Sequence, residues 1–136
     1  MYFLKTYVLT IIVFFLIDIV WLGFISKNLY HEKIGHLMKE DVNWLAAGLF
    51  YLVFIAGLIF FVINPALAKD SWKYALLVGA FFGMITYATY DMTNLATLKD
   101  WPIQITILDI IWGSILCGVT SMITFFVMSH FGGTEG

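Results

Sequence analysis

A chain of 136 residues in which 62% are hydrophobic and only 12% charged is too apolar for an ordinary water-soluble domain, since about a quarter of the residues in such domains are charged. Four membrane spans of about 20 residues each, with short connections, would use nearly all of this length, which leaves no room for a separate soluble domain. The net charge of −2 excludes a nucleic-acid-binding surface, which would need a dense basic patch. The chain contains lysine but no arginine, which disfavours a phosphate site.

The first apolar run covers residues 2–26 and is interrupted only by Lys5 and Asp18. It is too long for a removable signal peptide, and no small-residue cleavage site follows it, so we expect a permanent span. Residues 27–43 are polar but carry apolar side chains at helical spacing, which predicts a short amphipathic helix in the membrane interface. The side chains at this spacing are Tyr30, Ile34, Leu37 and Met38.

The second predicted span covers residues 44–63. Asn43 is placed to cap it, and the pair Asn64-Pro65 is placed to end it. Tryptophans stand at the starts of the second, third and fourth spans, where we expect them to anchor the helices in the interface. These anchors are Trp44, Trp72 and Trp101.

The third predicted span covers residues 71–90, with Asp70 or Ser71 as its cap. One stripe of this helix repeats every four residues and is made mostly of small side chains, which lets a neighbouring helix approach closely. We expect the stripe to carry a tyrosine and an aspartate inward with it, the aspartate at the mouth of the bundle. Its members are Ala75, Gly79, Gly83, Tyr87 and Asp91.

The fourth predicted span covers residues 102–130, with Pro102 in its first turn, where the missing N–H costs little. Asp109 lies inside this apolar run, where a charge is costly and usually serves a function. Small or weakly polar residues share its helix face: Gly113, Cys117, Thr120 and Thr124. The predicted fold is an all-α integral membrane protein, a bundle of four transmembrane helices, with residues 132–136 as a disordered tail.

Two aspartates are predicted to lie at equal depth. We call side B the membrane face at which spans one and three end and spans two and four begin, and side A the opposite face. Asp18 lies eight residues before Ser26, and Asp109 lies eight residues after Trp101, which puts both about 12 Å below side B. Each is followed three residues later by a tryptophan, Trp21 or Trp112, one helical turn away.

These positions predict a polar cavity that opens toward side B, with Asp18 and Asp109 at its floor. A buried acid in a membrane span is by default a candidate functional residue. The candidate ligand-binding or proton-binding residues are Asp18, Trp21, Tyr87, Tyr90, Asp91, Thr93, Asn94, Asp109 and Trp112.

The chain resembles the prokaryotic family of small predicted membrane proteins catalogued as domain of unknown function 2177. The resemblance covers nearly the whole chain and implies a four-span membrane protein without implying an activity. It depends on Tyr90-Asp91-Met-Thr93-Asn94-Leu-Ala96-Thr97, Trp101-Pro102, Asp109-Ile-Ile-Trp112-Gly113, and Asp18 with Trp21.

The residues favour solute transport over catalysis. Deep carboxyl groups beside tryptophan rings suit a small organic cation through charge pairing and cation–π contact, with proton exchange as the driving reaction. The alternative is a membrane-embedded enzyme or binding protein for a lipid or isoprenoid, although no Gly-rich phosphate loop, arginine or close pair of aspartates is present. A second alternative is a structural or assembly subunit, in which the deep acids only hydrogen-bond across helices.

Metal binding is not expected at the histidines, because His31 and His36 are five residues apart and lie on different helix faces. If a hard divalent cation were bound, its ligands would be Asp18, Asp91 and Asp109. The sequence specifies no cofactor. We expect a homo-oligomer in the bacterial inner membrane, with the lipid bilayer and a small solute as partners.

Overall fold

The computed structural model describes residues 2–21, 23, 33, 35 and 43–132. Regular structure within this part of the chain is helical, without strands. Four helices are long and apolar enough to cross a membrane, which confirms the predicted four-span fold. The predicted interfacial helix at 27–43 lies almost entirely outside the described residues, as do residues 24–26 and 133–136. The four helices are α1 (Tyr2–Val20), α2 (Trp44–Lys69), α3 (Trp72–Thr97) and α4 (Ile103–Val127), the last followed by a π-helical turn, Met128–Gly132.

Helix α2 continues through the proline that was predicted to end it. Pro65 has no N–H to donate to the preceding helical turn, and its ring crowds that turn. The helix accommodates it by widening into a π-helical turn at Ile59–Ile63, which ends two residues before Pro65. The chain then returns to α-helix and ends only at Asp70, which adopts a left-handed φ of 51°.

Helix α3 ends at Thr97 rather than at residue 90, as the sequence had suggested. The polar residues at its end remain compatible with a helix because they bond to the helix itself. The Thr97 hydroxyl donates to the Thr93 carbonyl at 2.8 Å, and the Leu98 N–H donates to the Asn94 carbonyl at 2.8 Å. Asp91 therefore lies six residues inside the helix end, about 9 Å from it.

Two predicted N-caps are present. The Asn43 side chain accepts a hydrogen bond from the Ala46 N–H at 3.0 Å, and Ser71, rather than Asp70, accepts from the Tyr74 N–H at 3.1 Å. Each satisfies a backbone donor that the first turn of a helix leaves without an intrahelical partner.

The Ser71 cap leads to a first prediction. Replacing Ser71 by alanine should lower the free energy of unfolding by about 1 kcal/mol, because a backbone donor of the first turn of α3 loses its side-chain partner. Titration of the unfolded fraction with a denaturing detergent measures this change. Ser71→Asn, which restores a capping oxygen, is the control and should retain the wild-type value.

Helices α3 and α4 pack with their backbones nearly in contact, as the small-residue stripes predicted. A Cβ atom added to Gly79 would lie 2.9 Å from the Cys117 carbonyl oxygen, and one added to Gly118 would lie 2.9 Å from the Leu76 carbonyl oxygen. This approach also allows the Ser114 hydroxyl to donate to the Ala80 carbonyl across the interface, at 2.9 Å. The two helices therefore form a tight hairpin that determines the relative positions of their polar residues.

Helices α1 and α2 pack beside this hairpin around a common apolar core. Phe14 of α1 is fully buried with Ile55 and Leu58 of α2 and with Leu116 and Cys117 of α4. The outward faces of all four helices carry large apolar side chains, as a lipid-facing surface requires. Examples are Leu16, Phe60, Leu77 and Ile107.

Candidate functional site

The two predicted aspartate–tryptophan segments meet. The Trp112 indole N–H donates to an Asp18 carboxyl oxygen at 3.2 Å. The rings of Trp21 and Trp112 stack, with their centroids 4.6 Å apart and their planes within 10°. A cation therefore cannot lie between these two rings, and any cation–π contact must use the outer face of one of them.

Asp91 and Asp109 form a second acidic contact, deeper than the sequence suggested for Asp91. Asp91 is 0% exposed and Asp109 is 9% exposed, and their carboxyl groups lie close enough to interact with each other. No donor among the described residues reaches either Asp91 oxygen by a conventional hydrogen bond. An ionised carboxylate only accepts hydrogen bonds, so this pair can bond only if one member keeps its proton. The expectation that Asp91 lies at the mouth of the bundle is wrong, because α3 extends beyond it to Thr97.

Tyr87 connects the two acidic contacts. Its ring packs directly against the backbone of Gly113, where the absence of a Cβ makes room for it. The Tyr87 hydroxyl lies close enough to Asp18 and to Asp109 for their charges to act on it. Asp18 and Asp109 are likewise within electrostatic reach of each other, so one group of polar side chains extends from α1 to α4.

Tyr51 of α2 also belongs to this group and was missed by the sequence analysis. It lies within electrostatic reach of Asp18, and its ring packs edge-on against Phe15 of α1, with centroids 5.2 Å apart. The available signal was a hydroxyl in the middle of an apolar span. Hydropathy alone could not predict that Tyr51 faces the acidic group, because the rotation of α2 relative to α1 depends on packing.

Trp101 is buried inside the protein instead of anchoring the helix in the interface. It is 8% exposed, whereas Trp44 is 76% exposed. Its indole N–H donates to the Thr106 hydroxyl at 3.1 Å, and that hydroxyl is 3.4 Å from the Asp91 carbonyl. The expectation of an interfacial anchor is thus wrong for Trp101, because its N–H finds a partner inside the protein.

The remaining candidate residues lie at the side-B end of α3. Tyr90 is exposed, packs edge-on against Trp101 with ring centroids 5.8 Å apart, and bonds to the side chain of Asn94. Thr93 is exposed and contributes its backbone carbonyl to the bond from Thr97. The structure therefore places Tyr90 and Asn94 on the rim and does not bring Thr93 to the carboxyl groups.

An apolar cleft lies between α1 and α2, separate from the acidic group. Its volume is about 590 Å³, and its lining includes Ile11 and Phe15 of α1 and Trp44 and Leu45 of α2. Tyr51 also lines it, so one side chain borders both the cleft and the surroundings of Asp18.

A three-ligand metal site is not formed by the described residues. No three histidine, cysteine, aspartate or glutamate side chains of residues 2–21, 23, 33, 35 and 43–132 converge on one point. The candidate set Asp18, Asp91 and Asp109 falls within these residues and is divided into the two contacts described above. His31 and His36 lie outside them.

Comparison with protein-family models identifies a family. Residues 3–126 match the model of a family described as predicted membrane protein, DUF2177. No curated protein and no solved structure matches the chain. The match covers all four helices and carries no activity with it.

Proposed function

The chain belongs to the DUF2177 family of predicted membrane proteins, and we propose that this four-span member is a carrier that exchanges a small organic cation for a proton. The family match supports a membrane protein of unknown function and nothing finer. The proposal therefore rests on the acidic group between α1, α3 and α4.

The observation that carries the proposal is the buried carboxyl pair of Asp91 and Asp109. Two neighbouring carboxyl groups in a buried site resist being ionised together, since like charges close to each other repel. In this proposal the pair shares one proton and releases it when another positive charge takes its place. Exchange of a proton for a cation needs an ionisable group inside the membrane protein.

Asp18 has a different part in this proposal. Trp112 orients its carboxyl through the indole N–H at 3.2 Å, and the stack with Trp21 holds that indole in place. A carboxyl fixed in this way supplies a counter-charge for the cation at a defined position. Tyr87 and the outer tryptophan faces complete a surface suited to an apolar, positively charged solute.

The apolar cleft favours a second candidate function, the binding of a lipid or isoprenoid. Its volume of about 590 Å³ is within the range of small-molecule sites, and Tyr51 brings a hydroxyl to its border.

An assembly role is less well supported, because the small-residue stripes are used within the chain by the α3–α4 contact. We propose further that the protein is a homo-oligomer of the bacterial inner membrane. Three lysines on side A and four on side B favour neither orientation of the chain in that membrane.

Binding calorimetry tests the proposed exchange. Tetraphenylphosphonium is titrated into the purified protein in two buffers of different ionisation enthalpy, so that the difference in heat reports the protons released. We expect release of about one proton per bound cation, as for a carboxyl pair that titrates as a unit. Asp109→Asn, which preserves shape and removes the acid, should abolish that release.

Asp70→Asn is the matched control, because it removes an exposed carboxyl at a position whose left-handed φ of 51° suits asparagine. It should behave as wild type. In proteoliposomes, a proton gradient should drive tetraphenylphosphonium flux through the wild-type and Asp70→Asn proteins. Unchanged flux in Asp109→Asn would contradict the proposal.

A further inference from the structure

The apolar cleft between α1 and α2 is closed at one end and open at the other. Toward side A, the Tyr7 hydroxyl of α1 donates a hydrogen bond to the Leu52 carbonyl of α2 and joins the two helices. Toward side B, the lining includes Trp44 and Leu45 of α2, and both side chains are exposed. The cleft can therefore be entered from the outside of the bundle and ends where the two helices meet.

The lining of the cleft suits a hydrocarbon chain. Among the described residues, no charged side chain lines it. Gly48 widens it, because a Cβ atom added there would have no atom within 4 Å. An ordered water needs two to four polar partners, which an apolar lining does not supply. A cleft of about 590 Å³ with this lining is large enough for a small molecule with an apolar body.

Asp18 lies on the face of α1 that lines the cleft. Ile11, Phe15 and Asp18 are separated by four and three residues, so they share one face of the helix. Ile11 is about 10 Å from Asp18 along the helix axis. Tyr51 packs against Phe15 in the cleft and lies within electrostatic reach of Asp18. An apolar groove and a carboxyl group are therefore adjacent along α1, with the carboxyl group toward side B.

The charge around Asp18 favours a positively charged group. The lysine of α1, Lys5, precedes Asp18 by thirteen residues, which is about 20 Å along the helix. The charge of Asp109, another acid, acts on Asp18. A cation beside Asp18 would therefore be attracted by the acidic group, and an ammonium group could also donate a charged hydrogen bond to its carboxyl.

We propose that the transported cation is amphiphilic: a single-chain alkylammonium compound enters from the bilayer through the cleft, lays its chain along Ile11 and Phe15, and pairs its ammonium group with Asp18. This inference names the substrate class of the carrier and rests on the proposed function, whereas the position of the chain in the cleft does not. A lipid tail is as apolar as the cleft, so the chain alone gains little by leaving the bilayer. The charge is what selects this compound over a neutral lipid.

Photolabelling of the protein in lipid nanodiscs tests this position. The two probes are octylammonium and octyl alcohol, each with a diazirine at the end of its chain, and mass spectrometry identifies the labelled residues. Preference for the cleft is the labelling of Ile11 and Leu52 relative to Leu77, which is exposed on α3. We expect this preference to be about tenfold greater for octylammonium, as one charged hydrogen bond would give. Equal preference would assign the cleft to neutral lipid chains and overturn the inference.

Two variants test the two ends of the bound compound. Asp18→Asn should reduce the preference of octylammonium to that of octyl alcohol, because it removes the counter-charge. Gly48→Leu should reduce labelling of the cleft by both probes, because the new side chain enters the open space beside α2. Gly48→Ala is the matched control and should retain the wild-type labelling. Labelling that is unchanged in Asp18→Asn and in Gly48→Leu would contradict the proposed position.

Calorimetry in two buffers separates this inference from the carrier function. Preferential labelling of the cleft by octylammonium, without proton release when tetraphenylphosphonium binds, would support the position of the chain and overturn the exchange. Proton release together with equal cleft preference for the two probes would support the exchange and overturn the amphiphilic substrate. The two failures are therefore distinguishable.

Discussion

Replacing Gly83 by alanine should destabilise the α3–α4 hairpin by about 1–3 kcal/mol or more, the usual cost of overpacking a tight interface. The added Cβ would clash with the carbonyl group of Gly113. That group is backbone and cannot rotate away as a side chain would, so the helices must separate. Separation would also strain the neighbouring bond from Ser114 to Ala80 and the contact between Asp91 and Asp109. Detergent-induced unfolding, followed by circular dichroism, measures the loss.

Two other glycines provide the comparison. Gly48 has no atom within 4 Å of an added Cβ, so Gly48→Ala should be neutral or slightly stabilising, because alanine favours a helix. Gly113→Ala would place its Cβ against the Tyr87 ring, and Tyr87→Ala should relieve that clash in the double variant. Equal stability of the Gly83→Ala and Gly48→Ala proteins would contradict the close backbone approach.

Proton release on cation binding should depend on the Asp91–Asp109 pair and not on Asp18. Asp91→Asn and Asp109→Asn should each reduce the release per bound tetraphenylphosphonium from about one proton to about zero, because a single remaining carboxyl no longer shares a proton with another acid. Either variant should fold normally, since the new amide can donate to the remaining carboxylate. Calorimetry in two buffers measures the release, and the unfolding assay checks the fold.

Asp18→Asn serves as the contrasting variant in the same experiment. Its amide oxygen can still accept the Trp112 N–H, so the stacked indoles should stay in place while the counter-charge is lost. We expect weaker binding of tetraphenylphosphonium with proton release retained. The opposite pattern, in which Asp18→Asn loses the release and Asp91→Asn keeps it, would assign the exchangeable proton to the other contact.

The sequence was sufficient to determine the four spans, the small-residue stripes and the expectation that Asp18 and Asp109 lie at equal depth. Hydropathy identifies a span because a helix must be apolar over the bilayer thickness. Depth follows from counting residues at a constant rise per residue, and glycines at every fourth position mark the face on which another helix can approach. These features depend only on local sequence and on the regular geometry of a helix.

Only the tertiary structure decided the depth of Asp91, the position of Tyr51 and the role of Trp101. The segment from Thr93 to Thr97 is polar enough to resemble a loop, yet it stays helical because its hydroxyl and amide groups find partners on the helix itself. Tyr51 reaches the acidic group through the rotation of α2 against α1, and Trp101 is buried because Thr106 accepts its N–H. Each outcome depends on contacts between side chains distant in sequence or on competition between alternative hydrogen-bond partners. A local sequence pattern predicts neither of these.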